Sequence, residues 1–369
     1  MKIAVLGTKG IPAQFGGIER HCEELYRRLS DRGHDVTIFV RGWYSPAGGS
    51  YLGVRLKQAP TINRKGLDAF LHTATGSALL LGENFDIIHY HGIGPSLFSF
   101  MPKLKRAKTV VTVHALDWQR AKWGAGARKV LKAGEWAAAH FPDRTIVVSR
   151  ELQEYFRARY GRETVFIPNG VTFIPRPRAA ALLKPLGLKR GGYVLFLGRL
   201  VPEKGCHDLI RAYRRLETDT PLVIAGGSSH SQSYVEGLES MAAGDGRIQF
   251  TGNVRGELLN QLSAHAALFV LPSMLEGFPI VTLEMLSYGV PILASDIGSS
   301  REALKDGEFG DLYRAGDTED LKCALSSALE NLPGLKKKAA AGRKYVKTAN
   351  DWDQIALQTE ALYEDVLAN

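Results

Sequence analysis

Tyr193-Val-Leu-Phe-Leu197-Gly-Arg199-Leu-Val-Pro-Glu-Lys204-Gly205 decides the fold. Five consecutive apolar residues, without alternation, describe a strand buried on both faces, the habit of parallel sheets. The strand runs into a loop bearing Gly, Pro and two cations, and a helical segment follows over 205–217. The alternation continues downstream. Strands are predicted at 222–225, 248–250, 268–271 and 291–294, with helices near 233–243, 255–264, 280–288 and 317–330.

The same pattern lies upstream. Residues 3–7 read as a buried strand, followed by a glycine-rich stretch. Ile18, Cys22, Leu25 and Leu29 then form one stripe of an amphipathic helix that Gly33 stops, before a strand over 36–40. Further strands fall at 53–58, 86–90, 109–114 and 145–148. Asn169-Gly170 reads as a turn, and the Pro/Arg/Gly-rich segment 171–191 marks a domain boundary. Two consecutive series of strands and helices imply an α/β chain with two Rossmann-like, doubly wound domains. Ligands of such sheets sit beyond the carboxyl ends of the strands, so two facing domains define one cleft. The expected division is 1–172, 173–350 and a C-terminal helix in 351–369 that packs back towards the N-terminal domain. That helix is amphipathic through Ile355, Leu357, Leu362, Tyr363 and Leu367.

A chain of 369 residues, 45% hydrophobic and 23% charged, buries a core without staples. Its three cysteines lie far apart with no C-x-x-C, which argues against structural zinc or a redox pair. The first strand begins at Lys2, and no apolar run reaches the roughly 20 residues of a spanning helix. A cytoplasmic protein, soluble or peripheral on the inner membrane face, is the expectation. Residues 1–170 carry 25 Lys and Arg against 14 Asp and Glu, a balance of +11, whereas the whole chain carries +9. A basic half beside a near-neutral half suggests an anionic neighbour, or a solvated basic surface.

Four motifs carry chemistry. Glu276-Gly277-Phe278-Pro279-Ile280-Val-Thr-Leu-Glu284 follows the strand 267–271, with Glu276 in the loop and Glu284 about one turn into the next helix. Backbone N–H groups at a helix start favour an anion, and two carboxylates beside them accept from sugar hydroxyls. Read blandly, they are a capping and a surface glutamate. Arg199 and Lys204 sit at a strand's carboxyl end, a planar fork and a mobile point charge suited to a pyrophosphate, or the cations of an ordinary βα loop. Gly16-Gly17-Ile-Glu19 opens the first helix, where glycines let backbone approach a phosphate or sugar closely. It matches neither a Walker loop nor G-x-G-x-x-G, which removes the main support for a kinase or dehydrogenase. His114 ends the strand 109–114, placed for a ligand or serving a structural role. His89 and His91 share that geometry, but no Asp/Glu cluster nearby completes a metal site.

Together these motifs resemble family 4 of the retaining glycosyltransferases, which have the two-domain GT-B architecture. The resemblance spans essentially the whole chain. It includes Val147-Val-Ser149, Ile167-Pro-Asn-Gly-Val171, Gly298 and the Trp352-Asp353 segment. It implies transfer of a hexose or deoxyhexose from a nucleotide-diphosphate sugar to a glycan or lipid-linked acceptor. By the same likeness Arg199 and Lys204 hold the donor diphosphate, and Glu284 binds the ribose. Glu276 and the amides around Gly277, Phe278 and Ile280 contact the sugar. Gly16 and Gly17 approach the phosphate, and His114 meets the sugar near its reacting face. Front-face displacement is implied, the leaving diphosphate oxygen taking the acceptor's proton, with neither cofactor nor metal. Asp351-Trp-Asp353 reads as a helix cap. Thr8-Lys-Gly-Ile-Pro-Ala-Gln-Phe-Gly-Gly17 is similar to a bacterial surface-polysaccharide subgroup that includes rhamnosyltransferases. A lipid-linked acceptor accords with cations and aromatics over 103–132, including Trp118 and Trp123, that suit an anionic membrane surface. The rivals are a non-catalytic sugar-nucleotide binder and a GT-B-shaped epimerase or phosphorylase. No nucleic-acid-binding motif is present, so no nucleic acid partner is expected.

Overall fold

The computed structural model describes every residue except Phe15, Pro46, Ala47, Lys65, Ser228, Ser229, His230 and Ser231. It divides into two compact units, Met1–Gly170 with Trp352–Asn369, and Val171–Asp351. The division falls at 170/171 and 351/352 rather than at 172 and 350. The two crossing segments explain the offset: the Val171 N–H donates to the Asn350 carbonyl at 2.8 Å and Val171 bridges Asp351 in parallel.

The strands of the first unit are β1 (Lys2–Leu6), β2 (Asp35–Val40), β3 (Ser50–Tyr51), β4 (Val54–Gln58), β5 (Ile87–His91), β6 (Lys108–Val113), β7 (Arg144–Val147) and β8 (Val165–Phe166). They form one sheet in the order β3-β4-β2-β1-β5-β6-β7-β8, parallel throughout except where β3 meets β4. Its helices are α1 (Gly17–Asp31), α2 (Leu67–Leu80), α3 (Ala125–His140) and α4 (Arg150–Tyr160). The order reverses at β1, so β1 and β5 flank the switch point where such sheets take ligands.

The second unit holds β9 (Val194–Leu197), β10 (Leu222–Ala225), β11 (Ile248–Gly252), β12 (Leu268–Leu271), β13 (Ile292–Ser295) and β14 (Asp311–Tyr313). All are parallel, in the order β11-β10-β9-β12-β13-β14, with the switch point between β9 and β12. Its helices are α5 (Cys206–Arg214), α6 (Gln232–Ala242), α7 (Gly256–His265), α8 (Ile280–Tyr288), α9 (Gly298–Leu304), α10 (Thr318–Glu330) and α11 (Leu332–Ala349). Sequence reasoning passed over α11, whose lysine-rich face hides the buried stripe Leu335, Ala339, Gly342 and Val346.

The final helix α12 (Trp352–Ala368) lies in the first unit, against α1. Ile355, Leu362, Tyr363 and Val366 are buried in the core that also holds Cys22, Leu25 and Leu29, whereas Leu357 and Leu367, expected on the same stripe, are exposed on the outer face of the helix. Salt bridges from Arg28 to Asp353 and from Arg32 to Glu360 fasten its outer face. Asn169-Gly170 is not a turn. The chain runs past Trp352 there, and a Cβ on Gly170 would come within 2.5 Å of the indole. Glycine serves close approach at this point rather than chain reversal. Among the described residues, no helix is long and apolar enough to cross a membrane.

Candidate functional site

In the second unit, two loops leave the carboxyl ends of β9 and β12, the pair flanking the switch point. The first carries Gly198 and Arg199, then a short 3-10 turn, Pro202–Lys204, before Gly205 opens α5. The second runs from Pro272 to Pro279, and α8 begins at Ile280. Gly205 has a φ of +66°, and a Cβ there would stand 1.9 Å from the carbonyl oxygen of Pro272. Only glycine combines that conformation with that approach. The Met274 N–H donates to the Glu203 carbonyl at 2.8 Å, joining the loops a second time.

The side chains complete the join. Lys204 Nζ donates to Glu276 Oε1, and Ser273 Oγ donates to the same oxygen at 2.6 Å. Two residues that the motifs place on different parts of a ligand therefore hold each other. Ser273 escaped the sequence reading, although its place directly after an apolar strand was a usable signal. Arg199, Glu276 and Glu284 are partly exposed. Glu284 sits on the fifth residue of α8, whose first amides follow Pro279. Thr282 N–H is spent on the Pro279 carbonyl at 3.0 Å, so Ile280 and Val281 supply the outward amides of this terminus. Gly277 and Phe278 lie in the loop just before it, and Phe278 packs partly against the core.

In the first unit, Gly16 precedes α1 and Gly17 begins it, without a side-chain cap. Glu19 turns back, accepting from the Lys9 N–H at 3.3 Å, with the Lys9 ammonium at 3.6 Å. Phe15 of the same motif lies outside the described residues. His114 stands one residue beyond β6, partly exposed, in a cluster of imidazoles. Its Nε2 is 3.0 Å from His91 Nδ1, and its ring meets His21 edge-on at 4.8 Å. His91 Nε2 is 2.6 Å from the Tyr26 hydroxyl, and His89 Nδ1 is 2.6 Å from the Tyr363 hydroxyl. His21 Nδ1 faces Asn169 Oδ1 at 2.9 Å, while its buried Nε2 has no partner.

The strand-end histidines thus find company, but from α1 and β6 rather than from carboxylates. Ring nitrogens of His21, His91 and His114 lie within 4.8 Å of one another. A tetrahedral ion with bonds of about 2.1 Å would space its ligand atoms about 3.4 Å apart. His91 and His114 already hydrogen-bond each other, so the trio in this arrangement is a hydrogen-bonded group rather than a formed cation cage. His21 was readable in the sequence, since it stands four residues before Leu25 on the buried stripe.

Burial sets the charge of this cluster. It pushes His21 down to about 4, against the opposing hydrogen bond from Asn169. His89, His91 and His114 are held well below the ordinary histidine range, first by burial and then by neighbouring imidazoles. All four are neutral at pH 7.

The residues over 103–132 are rearranged by the fold. Trp118 donates its indole N–H to buried Glu135, and Trp123 is half-buried, so neither is an outward anchor. The exposed large apolar residues in and beside this region include Phe100, Leu104, Val130 and Trp136. Phe141 links Phe100 and Trp136, with ring centroids at 5.6 Å and 5.3 Å respectively. Asp353 of the Asp-x-Asp triplet is taken up by Arg28.

Residues 183–349 match the model described as glycosyl transferases group 1, and residues 15–173 match that of glycosyltransferase family 4. A glycogen synthase of Mycobacterium tuberculosis is 28% identical, the alignment covering 98% of this chain and 94% of that protein. A sucrose-phosphate synthase from Thermosynechococcus elongatus superposes with a TM-score of 0.85 at 23% identity, over 100% of this chain and 99% of that one. Anabaena HepE in complex with UDP-glucose superposes with a TM-score of 0.81 at 22% identity, over 99% and 100%.

The neutral histidines predict an acid-sensitive fold. His21 and His72 both have folded values of about 4 against 6.5 when exposed. Between those values the unfolded chain binds more protons, so stability is complete above about pH 6.5 and lost as pH falls towards 4. At pH 5 each of the two costs about 2 kcal/mol. Urea unfolding followed by tryptophan fluorescence at pH 7 and pH 5 checks this. A midpoint that does not fall at pH 5 contradicts it.

Proposed function

This chain belongs to the family 4 glycosyltransferases of GT-B architecture, and we propose that it is a retaining enzyme that uses a nucleotide-diphosphate sugar. The transferred group is a hexose or deoxyhexose, and the acceptor a glycan or lipid-linked glycan of bacterial surface polysaccharide synthesis. One observation supports the donor assignment above the others. Two loops at the switch point of the second unit, each carrying a motif, are joined through Gly205 and Pro272 and through Lys204 and Glu276. That brings a cation, a carboxylate and the open amides of a helix start to one place, the chemistry that a sugar diphosphate requires.

In this reading Arg199 and Lys204 meet the diphosphate, and Glu284 accepts from the ribose hydroxyls. Glu276, Gly277, Phe278 and Ile280 meet the sugar. Gly16 and Gly17 offer backbone N–H groups to phosphate, and His114 meets a sugar oxygen. The acceptor oxygen bonds to the anomeric carbon as the carbon–diphosphate bond breaks on the same face. The acceptor's proton passes to the departing diphosphate oxygen. Charge developing on that oxygen is met by fixed cations, with no divalent ion in the role. UDP-glucose in the Anabaena structure is consistent with a donor of this class.

Arg199→Ala and Lys204→Ala should each lower turnover by roughly a hundredfold to a thousandfold, an effect of about 3–4 kcal/mol, with circular dichroism unchanged. Glu284→Ala should weaken donor and free nucleoside diphosphate alike, whereas Glu276→Ala should spare the free diphosphate. Turnover should survive EDTA. Nucleoside diphosphate release and calorimetric titration read these arms. Near-wild-type turnover in both cation variants contradicts the assignment.

The first unit also supports docking on an anionic membrane. Phe100, Leu104 and Trp136 are exposed beside Lys103, Lys105, Arg106, Arg128, Lys129 and Lys132. Each cation near such a surface contributes roughly 1 kcal/mol, and salt screens it. Co-sedimentation with phosphatidylserine-containing vesicles should fall sharply between low and high salt. It should also fall when Lys103, Lys105, Arg106 and Lys108 are changed to Ser. A wild-type protein that ignores such vesicles at low salt sinks the docking.

A further inference from the structure

Trp43 stands in the loop that leaves the carboxyl end of β2, and no step above uses it. Its side chain, a large apolar surface, is 38% exposed. We propose that Trp43 is a stacking platform for a pyranose ring of the acceptor, a sugar subsite of the first unit. This rests on the reading of the acceptor as a glycan.

The indole is held rather than loose. Its N–H donates to Asp68 Oδ1 at 3.4 Å, in the first turn of α2. Asp68 is itself buried and fixed. Arg41 Nη1 donates to its other oxygen at 2.6 Å, and the Thr61 hydroxyl donates to Oδ1 at 3.0 Å. A buried polar group thus sets the plane of an exposed ring. Because the N–H is spent on Asp68, the rest of the indole offers carbon and π-surface. Tyr44 stands perpendicular to it, with centroids 5.8 Å apart and planes at 85°, so it covers at most one face. Trp136, also exposed, differs: it lies on α3 and is stacked on His140 at 4.4 Å.

The place suits a ligand. The loops after β1 and β2 are tied together at the carboxyl ends of the sheet, where such sheets bind. The Arg41 N–H donates to the Lys9 carbonyl at 2.9 Å, and the Ser45 hydroxyl to the Ile11 carbonyl at 2.9 Å. Gln14 donates its backbone and side-chain N–H groups to the hydroxyl and carbonyl of Tyr44, both at 2.7 Å. Trp43 therefore shares a rim with the glycine-rich stretch that ends in Gly16 and Gly17. A pyranose carries its hydroxyls around the ring edge and its axial C–H bonds on a face. That face lies on an indole, weakly positive hydrogens against the negative π-cloud. Ile62 and Leu67, exposed next to Thr61 and Asp68, make an acyl chain the rival occupant. An acyl chain needs no fixed ring plane, whereas a stacked sugar gains from one already set, and this favours the sugar.

Binding of simple glycosides reads the platform without donor or turnover, so this inference and the transferase reading fail separately. The probes are methyl α-D-glucopyranoside, methyl α-D-mannopyranoside and methyl α-L-rhamnopyranoside. In protein labelled with 15N-tryptophan, Trp43→Phe assigns the Trp43 indole signal. At least one glycoside should shift that signal saturably, and saturation-transfer spectra should mark the C–H protons of one ring face. Trp43→Ala should weaken this binding roughly tenfold, and Trp43→Phe should largely keep it. Circular dichroism checks that the variants fold. Should Trp43→Ala fail to fold, the indole titration decides alone. The proposal is overturned if none of the three glycosides moves the Trp43 signal. It is overturned equally if Trp43→Ala binds them as the wild type does, or if phosphatidylserine-containing vesicles move the signal in their place.

Discussion

The approach of the Gly205 backbone to the carbonyl of Pro272 is the constraint on which the second unit's site depends. It fixes the spacing of the loops after β9 and β12, and with it the distance from Lys204 to Glu276. A side chain at 205 would demand both a strained φ and a displaced carbonyl. The Lys204–Glu276 pair is a product of this approach. Both side chains are mostly covered, and each charge compensates the other until a ligand arrives. On the proposed function, a diphosphate entering this place exchanges one anionic partner of Lys204 for another. The site is therefore arranged in advance, and binding need not order it afresh.

The first unit solves a different problem. His89 and His91 lie fully buried at strand ends, where an unpaired ring nitrogen is costly. The fold answers with phenols from two helices far apart in sequence, Tyr26 on α1 and Tyr363 on α12. The return of α12 to this unit is therefore more than apolar cover. It brings Trp352 against His21 and Gly170, and Tyr363 into the imidazole chain. Packing and polar satisfaction share one helix, so the environment of His114 depends on the last residues of the chain.

The two largely parallel sheets were legible because most of their strands are short apolar runs, many of them followed by a glycine-bearing loop. Arg199, Lys204, Glu276 and Glu284 were legible as motifs for the same reason: a strand end locates a loop. Their mutual contacts were not, since β9 and β12 lie some seventy residues apart and only the strand order makes them neighbours. The histidine cluster was half visible. His89, His91 and His114 stand at strand ends, but His21 and Tyr26 were not singled out, and Tyr363 counted only as an apolar position of the last helix. The misread turn at Asn169-Gly170 shows the limit of local rules. Asn-Gly signals a turn only when no distant side chain claims the space, and here Trp352 claims it. Trp118 and Trp123 misled for a similar reason, because composition cannot reveal that Glu135 holds one indole inward.

Because the loops are already joined, a nucleoside diphosphate should quieten a small and definite part of the backbone. Hydrogen–deuterium exchange of the intact protein, with and without UDP, GDP or ADP, measures this directly. The account predicts that at least one of the three slows exchange in peptides covering Gly198–Gly205 and Ser273–Glu284, with Lys204→Ala abolishing the effect. Protection by these ligands that leaves both stretches unchanged, or that is indifferent to Lys204, would contradict it.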